Sequence, residues 1–114
     1  MNRMKNKYEN VNLNYDLIAS KYPNIDEYEN IVSVFLNDPF FNELEEYLSS
    51  EDYAMAKDAT KGLMILSQEL YLFPLYEKIS EIYEDLEFET YDEVMAHYKD
   101  MKETYERLRN VFSS

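Results

Sequence analysis

From residue 11 onward, apolar side chains recur at the three- and four-residue spacing of helices that bury one face. Val11, Leu13, Leu17 and Ile18 predict a short helix, which ends at Tyr22-Pro23 because the residue before a proline avoids helical geometry. Asn24 reads as the N-cap of a second helix with the stripe Ile25, Tyr28, Ile31, Val32, Phe35 and Leu36. Asp38-Pro39 is a stop, a kink, or a cap followed by a first-turn proline, and Phe40, Phe41, Leu44, Tyr47 and Leu48 resume the stripe after it. Ser49-Ser50 breaks the pattern again. Ser50 or Glu51 then opens a helix running through Met55, Ala59, Leu63, Leu66 and Leu70. After Phe73-Pro74, the residues Leu75, Ile79, Ile82, Tyr83 and Leu86 predict the next helix. Thr90-Tyr91-Asp92-Glu93 has the capping-box form. Val94, Tyr98, Met101, Tyr105, Leu108 and Phe112 then step by four and three residues along a long final helix.

Short connections favour antiparallel neighbours, so the predicted fold is all-α: an antiparallel up-down four-helix bundle with a short additional N-terminal helix. Residues 1–10 carry no sustained apolar face and read as a flexible tail, leaving 11–114 as a single domain. Tyr91, Tyr98 and Tyr105 fall seven residues apart, as do Tyr76 and Tyr83. Recurrent rings at that spacing are expected to pack at helix interfaces with their hydroxyls reaching solvent.

Composition narrows the chemistry. The chain of 114 residues holds 24 acidic against 11 basic side chains, a net charge of −13, with one Gly, one His and no Cys. A single glycine disfavours turn-rich β folds and excludes a Gly-rich phosphate loop. Without cysteine there are no disulfides, thiolate metal sites or cysteine nucleophiles. One histidine leaves neither a histidine-rich metal centre nor a Ser-His-Asp triad to be expected. The charge opposes binding to nucleic-acid backbone or anionic membrane, both of which need clustered Lys and Arg. Residues 1–21 run against the trend, with four basic and two acidic groups, so residues 22–114 carry seven basic against 22 acidic. No run of 18 apolar residues occurs and the polar start lacks a signal-peptide core, so the expected location is cytoplasmic. His97 stands in Met95-Ala96-His97-Tyr98-Lys99 and reads as a partly exposed structural residue. The Glu-x-x-His spacing of bundle di-iron sites is absent, since Val94 lies at −3 and Glu93 at −4. No cofactor, metal or catalytic residue is expected, and the acids read as a solvated coat on a monomer.

One segment stands out. In Met55-Ala56-Lys57-Asp58-Ala59-Thr60-Lys61-Gly62, Asp58, Lys61 and Gly62 share a helix face, and the only glycine falls mid-helix, where it costs about 1 kcal/mol relative to alanine. Close helix–helix approach at Gly62 and a surface Asp58–Lys61 ion pair would account for it structurally. The segment Lys57-Asp58-Ala59-Thr60-Lys61-Gly62 also resembles the Ala-His-x-Leu-Lys-Gly signature of histidine-containing phosphotransfer (Hpt) domains, carried on the second long helix of their four-helix bundle. The resemblance covers about residues 11–112: residues 31–48 match the first long helix, Ser49 to Tyr53 the acidic link, and 75–86 and 91–112 the last two helices.

The resemblance implies a partner, a response-regulator receiver domain or a histidine kinase, docking on Ala54, Lys57, Asp58, Lys61, Gly62 and Ile65. It also implies a vacancy, because Asp58 occupies the position of the phosphoacceptor histidine. A carboxylate accepts phosphate in receiver domains with Mg²⁺ and clustered acids, which 57–62 do not supply. In the family the lysine helps hold the phosphoryl group and the glycine leaves space for the receiver. The expected function is therefore a non-catalytic Hpt-like module that docks without carrying phosphate. The alternative is an acidic interaction protein, an anti-regulator or nucleic-acid mimic, with only architectural likeness.

Overall fold

The computed structural model describes residues 3–112, and these fold into helices without strands. In chain order they are α1 (Arg3–Glu9), α2 (Tyr15–Lys21), α3 (Ile25–Leu36), α4 (Phe40–Ser49), α5 (Tyr53–Glu69), α6 (Phe73–Glu87) and α7 (Tyr91–Phe112). Polar side chains fix the helix starts. Asn14, Asn24 and Asp52 each accept a hydrogen bond from the backbone N–H three residues on, satisfying donors that the first turn leaves free. Asp52 thus caps α5, one or two residues later than the serine-rich break suggested. At Asp38-Pro39 the alternatives resolve to a break. α3 stops at Leu36, and the Asp38 carboxylate accepts from Phe40 N at 2.9 Å as α4 begins. Thr90 departs from the capping box, because its hydroxyl donates to Asp85 Oδ1 at 3.1 Å.

Helix ends needed another solution in a chain with one glycine. Asn12, Glu51, Tyr71 and Glu89 take positive φ of 56–61°, the left-handed conformation glycine usually supplies. Each is followed by an N–H that reaches back five residues, as in Leu13 N to Tyr8 O and Leu72 N to Ser67 O, both 2.9 Å. The tyrosines contribute too. Tyr28 OH donates to Leu70 O at 2.5 Å and Tyr22 OH to Glu69 O at 3.1 Å, taking up carbonyls at the end of α5. Tyr105 OH donates to Leu36 O, at the end of α3. Of the tyrosines spaced seven apart, Tyr105 thus bonds inward, where a hydroxyl reaching solvent was expected.

α4 packs on α5, α5 on α6, α6 on α7, and α3 on the distal part of α7, in a body of 47 × 22 × 20 Å. The α7 stripe is as predicted: Val94, Tyr98, Met101, Leu108 and Phe112 are buried and Tyr105 is half-buried. Ring contacts bind its two ends, Tyr91 stacked on Tyr53 at 3.8 Å and Tyr105 on Phe41 at 4.2 Å.

The N-terminus corrects the expectation of a flexible tail over residues 1–10. Residues 3–9 form α1, and Tyr8 is fully buried; residues 1 and 2 lie outside the described part. Its ring meets Tyr15 and Phe112 edge-on at 5.1 and 5.4 Å, and its hydroxyl donates to Glu29 at 2.9 Å. Lys7 pairs with the same Glu29 at 2.8 Å. One buried ring, the partly buried Met4 and the ion pairs of Lys5 with Asp16 and Lys7 with Glu29 hold this helix, anchors too scattered to form a stripe.

Truncating that ring tests the assignment. Tyr8→Ala is expected to destabilise the fold by about 3–5 kcal/mol, the range for emptying a buried aromatic site. A melting temperature unchanged by the substitution would restore the tail.

Burial raises the phenols of Tyr8, Tyr28 and Tyr98 well above their ordinary value of 10, with neighbouring carboxylates adding to the effect at each. The folded state therefore keeps protons that the unfolded chain releases near pH 10, so stability is full below that pH and falls above it. In an alkaline titration these three tyrosinates should form only as helicity is lost. Complete tyrosine ionisation with the helical signal intact would contradict the burial.

Candidate functional site

α5 carries the segment that the sequence singles out. Its buried side is Ala56, Thr60, Leu63 and Ser67, not the anticipated Met55, Ala59, Leu63 and Leu66. At 100° per residue, the helix is turned by roughly 70° from the expected setting. Small inward residues are the cause. The Thr60 hydroxyl donates to Lys57 O at 2.9 Å and the Ser67 hydroxyl to Met64 O at 3.0 Å, so both are buried without losing a hydrogen bond. Met55 and Leu66 are left 44% and 39% exposed.

The opposite face presents the predicted residues. Ala54, Asp58, Lys61, Gly62 and Ile65 are all exposed, and Ile65 is half open to solvent at 50%. Lys57 is the exception. It turns toward α6, where it pairs with Glu87 and lies 5.9 Å from the Tyr83 ring centre, and the Glu87 hydrogen bond raises its pKa. The Asp58–Lys61 ion pair does not form among the described residues. Nor is Gly62 a point of close approach: a Cβ built there meets nothing within 4 Å. Beside this face, Ile31 and Val34 of α3 and Leu66 of α5 line an open groove of about 360 Å³ flanked by Asp38 and Glu69. Val34 is 71% exposed.

A second constellation lies across the α6–α7 hairpin. His97 Nδ1 is 2.5 Å from Oδ2 of Asp85, a buried carboxylate whose other oxygen accepts from Thr90. Nε2 faces Glu81 at 3.9 Å. The Asp85 hydrogen bond raises the imidazole pKa; Glu81 and Glu93 act in the same direction, against partial burial. The bond places the neutral ring's proton on Nδ1 and leaves Nε2 as acceptor. Sequence reading assigned His97 a structural place but missed Asp85, because the pairing is tertiary. The available signal was the Glu81/Asp85 pair, spaced four apart like Glu93/His97. His97 does not approach the exposed α5 face, so the two constellations are separate.

Searches against protein-family models, curated proteins and solved structures matched nothing.

The open space at Gly62 has a measurable consequence. Gly62→Ala gains helix propensity and loses no packing, so it should stabilise the protein by about 1 kcal/mol and raise its melting temperature by roughly 4 °C. An unchanged or lower melting temperature would mean that the glycine serves the fold.

Proposed function

We propose that the chain is a non-catalytic docking module of the Hpt type, in which α3 and α4 together, α5, α6 and α7 serve as the four helices of an antiparallel up-down bundle. Its outer α5 face receives a response-regulator receiver domain or the histidine kinase of a phosphorelay. The observation that carries this reading is Gly62. A mid-helix glycine costs stability, and no contact within the described chain uses the missing Cβ. The requirement for a bare backbone therefore lies with a partner that approaches closely. The surroundings suit one: Asp58 and Lys61 offer charges with no ion pair among the described residues, while Ile65 and the neighbouring Leu66 offer apolar surface.

The face carries no histidine, because the chain's one histidine lies on α7. Asp58 is exposed, and among the described residues no cluster of carboxylates lies beside it to hold Mg²⁺. Occupancy, not group transfer, is the proposed output. An acidic interaction protein with basic partners draws support from the net charge of −13 and from Asp38 and Glu69 beside the α3–α5 groove.

Binding of purified receiver domains distinguishes these readings. The docking module should bind a cognate receiver with affinity largely retained at high salt, whereas a charge-driven complex dissociates as screening increases. Gly62→Leu, at an exposed position where an added Cβ meets nothing within 4 Å, should weaken receiver binding about tenfold, or about 1.4 kcal/mol. Incubation with phosphorylated receiver should leave the chain unlabelled. Labelled protein would overturn the non-catalytic reading, and undiminished binding by Gly62→Leu would move the docking site elsewhere.

A further inference from the structure

The α6–α7 hairpin gathers donor atoms of two kinds at one place. Asp85, Glu93 and His97 each offer a ligating atom, and these atoms lie within 4.8 Å of one another. Glu81 adds a carboxylate oxygen 3.9 Å from His97 Nε2. The residues come as two pairs spaced four apart, Glu81/Asp85 on α6 and Glu93/His97 on α7, so each pair projects from one helix face across to the other. Two packed helices fix the four positions more firmly than a loop would.

Charge decides what such a place attracts. Three carboxylates surround one imidazole, and the ion pairs that Glu81 and Asp85 make among the described residues are with His97 itself. Lys78, the nearest lysine in sequence to Glu81, pairs with Asp100 at 2.6 Å. A phosphate or carboxylate ligand would be repelled, and a cation would be drawn in. The imidazole then selects among cations, because nitrogen with carboxylate oxygen suits divalent transition metals, while Mg²⁺ and Ca²⁺ take oxygen donors alone. Metal–donor distances near 2.1 Å call for donors closer together than the outermost here, an adjustment within the reach of the exposed Glu93 side chain.

We propose that Asp85, Glu93 and His97 form a binding site for a divalent transition-metal cation of the Zn²⁺ class that clasps α6 to α7, the cation displacing the proton that Nδ1 shares with Asp85, while Glu81 on the Nε2 side of the ring adds negative charge and no ligand. The site is independent of the α5 docking face. Thr90, which donates to Asp85 Oδ1, is a positioning residue that holds the buried carboxylate toward the ring.

The chain has one histidine, so its ring resonances report on this place alone. Zn²⁺ is titrated into the full-length protein in millimolar Mg²⁺, which occupies the diffuse acidic surface. The His97 ring signals should shift to completion at one equivalent, with a rise in melting temperature that grows with Zn²⁺ concentration. His97→Gln and Glu93→Gln, both at accessible positions, should each weaken Zn²⁺ affinity about tenfold or more. Ring signals unmoved at one equivalent, or equal affinity in the two variants and the parent, would overturn the site and leave only diffuse binding by surface carboxylates.

Discussion

The rotational setting of α5 about its own axis governs what this molecule offers to its surroundings. A helix between two neighbours buries one side, and here that side is lined by Ala56, Thr60, Leu63 and Ser67. Three of the four are small, so the neighbouring helices approach closely, and the two hydroxyls are satisfied within the helix itself. The direction opposite is then fixed by geometry. It carries Ala54, Asp58, Lys61, Gly62 and Ile65, and the bulkier apolar residues Met55 and Leu66 are displaced to its edge. Rotating α5 so that Met55 and Leu66 faced inward would bury more apolar area. It would also force those larger side chains into the space that now accepts an alanine, a threonine and a serine.

The scarcity of glycine shapes the rest of the architecture. Four non-glycine residues accept the left-handed conformation at helix ends, and tyrosine hydroxyls take up carbonyls that a terminating helix leaves over. Three of the 12 tyrosines, Tyr22, Tyr28 and Tyr105, thereby join one element's end to another's side. Against that background Gly62 is anomalous, because the lone glycine is placed where the backbone does not need it. The fold manages its turns without glycine and yet keeps one in the middle of a helix. This contrast is the physical basis for the proposal that the residue serves an external contact.

Much of the architecture was legible from local signals. The α7 stripe, the Asn24 cap, the end before Pro23 and the interruption at Pro39 all rest on interactions within a few residues, which a linear reading captures. The setting of α5 was not legible, because apolar periodicity assigns threonine and serine to the outside and cannot register that their hydroxyls bond to their own helix. α1 was missed because its one fully buried side chain, Tyr8, packs against partners 7 to 104 residues away, and its ion pairs are tertiary too. The α5 face was legible in its exposed members. The turn of Lys57 toward Glu87 and the clasp of His97 by Asp85 depend on how α6 sits against its neighbours. No spacing within one helix encodes that.

The central claim is that the outer face of α5 is kept bare for a protein partner. Its most direct test is backbone NMR of the isotopically labelled chain titrated with a cognate receiver domain. Perturbed amides are expected to cluster on the turns carrying Ala54, Asp58, Lys61, Gly62 and Ile65, spreading toward Leu66 and Val34. Perturbations confined to α1, α2 or the α6–α7 hairpin, with those turns silent, would contradict it.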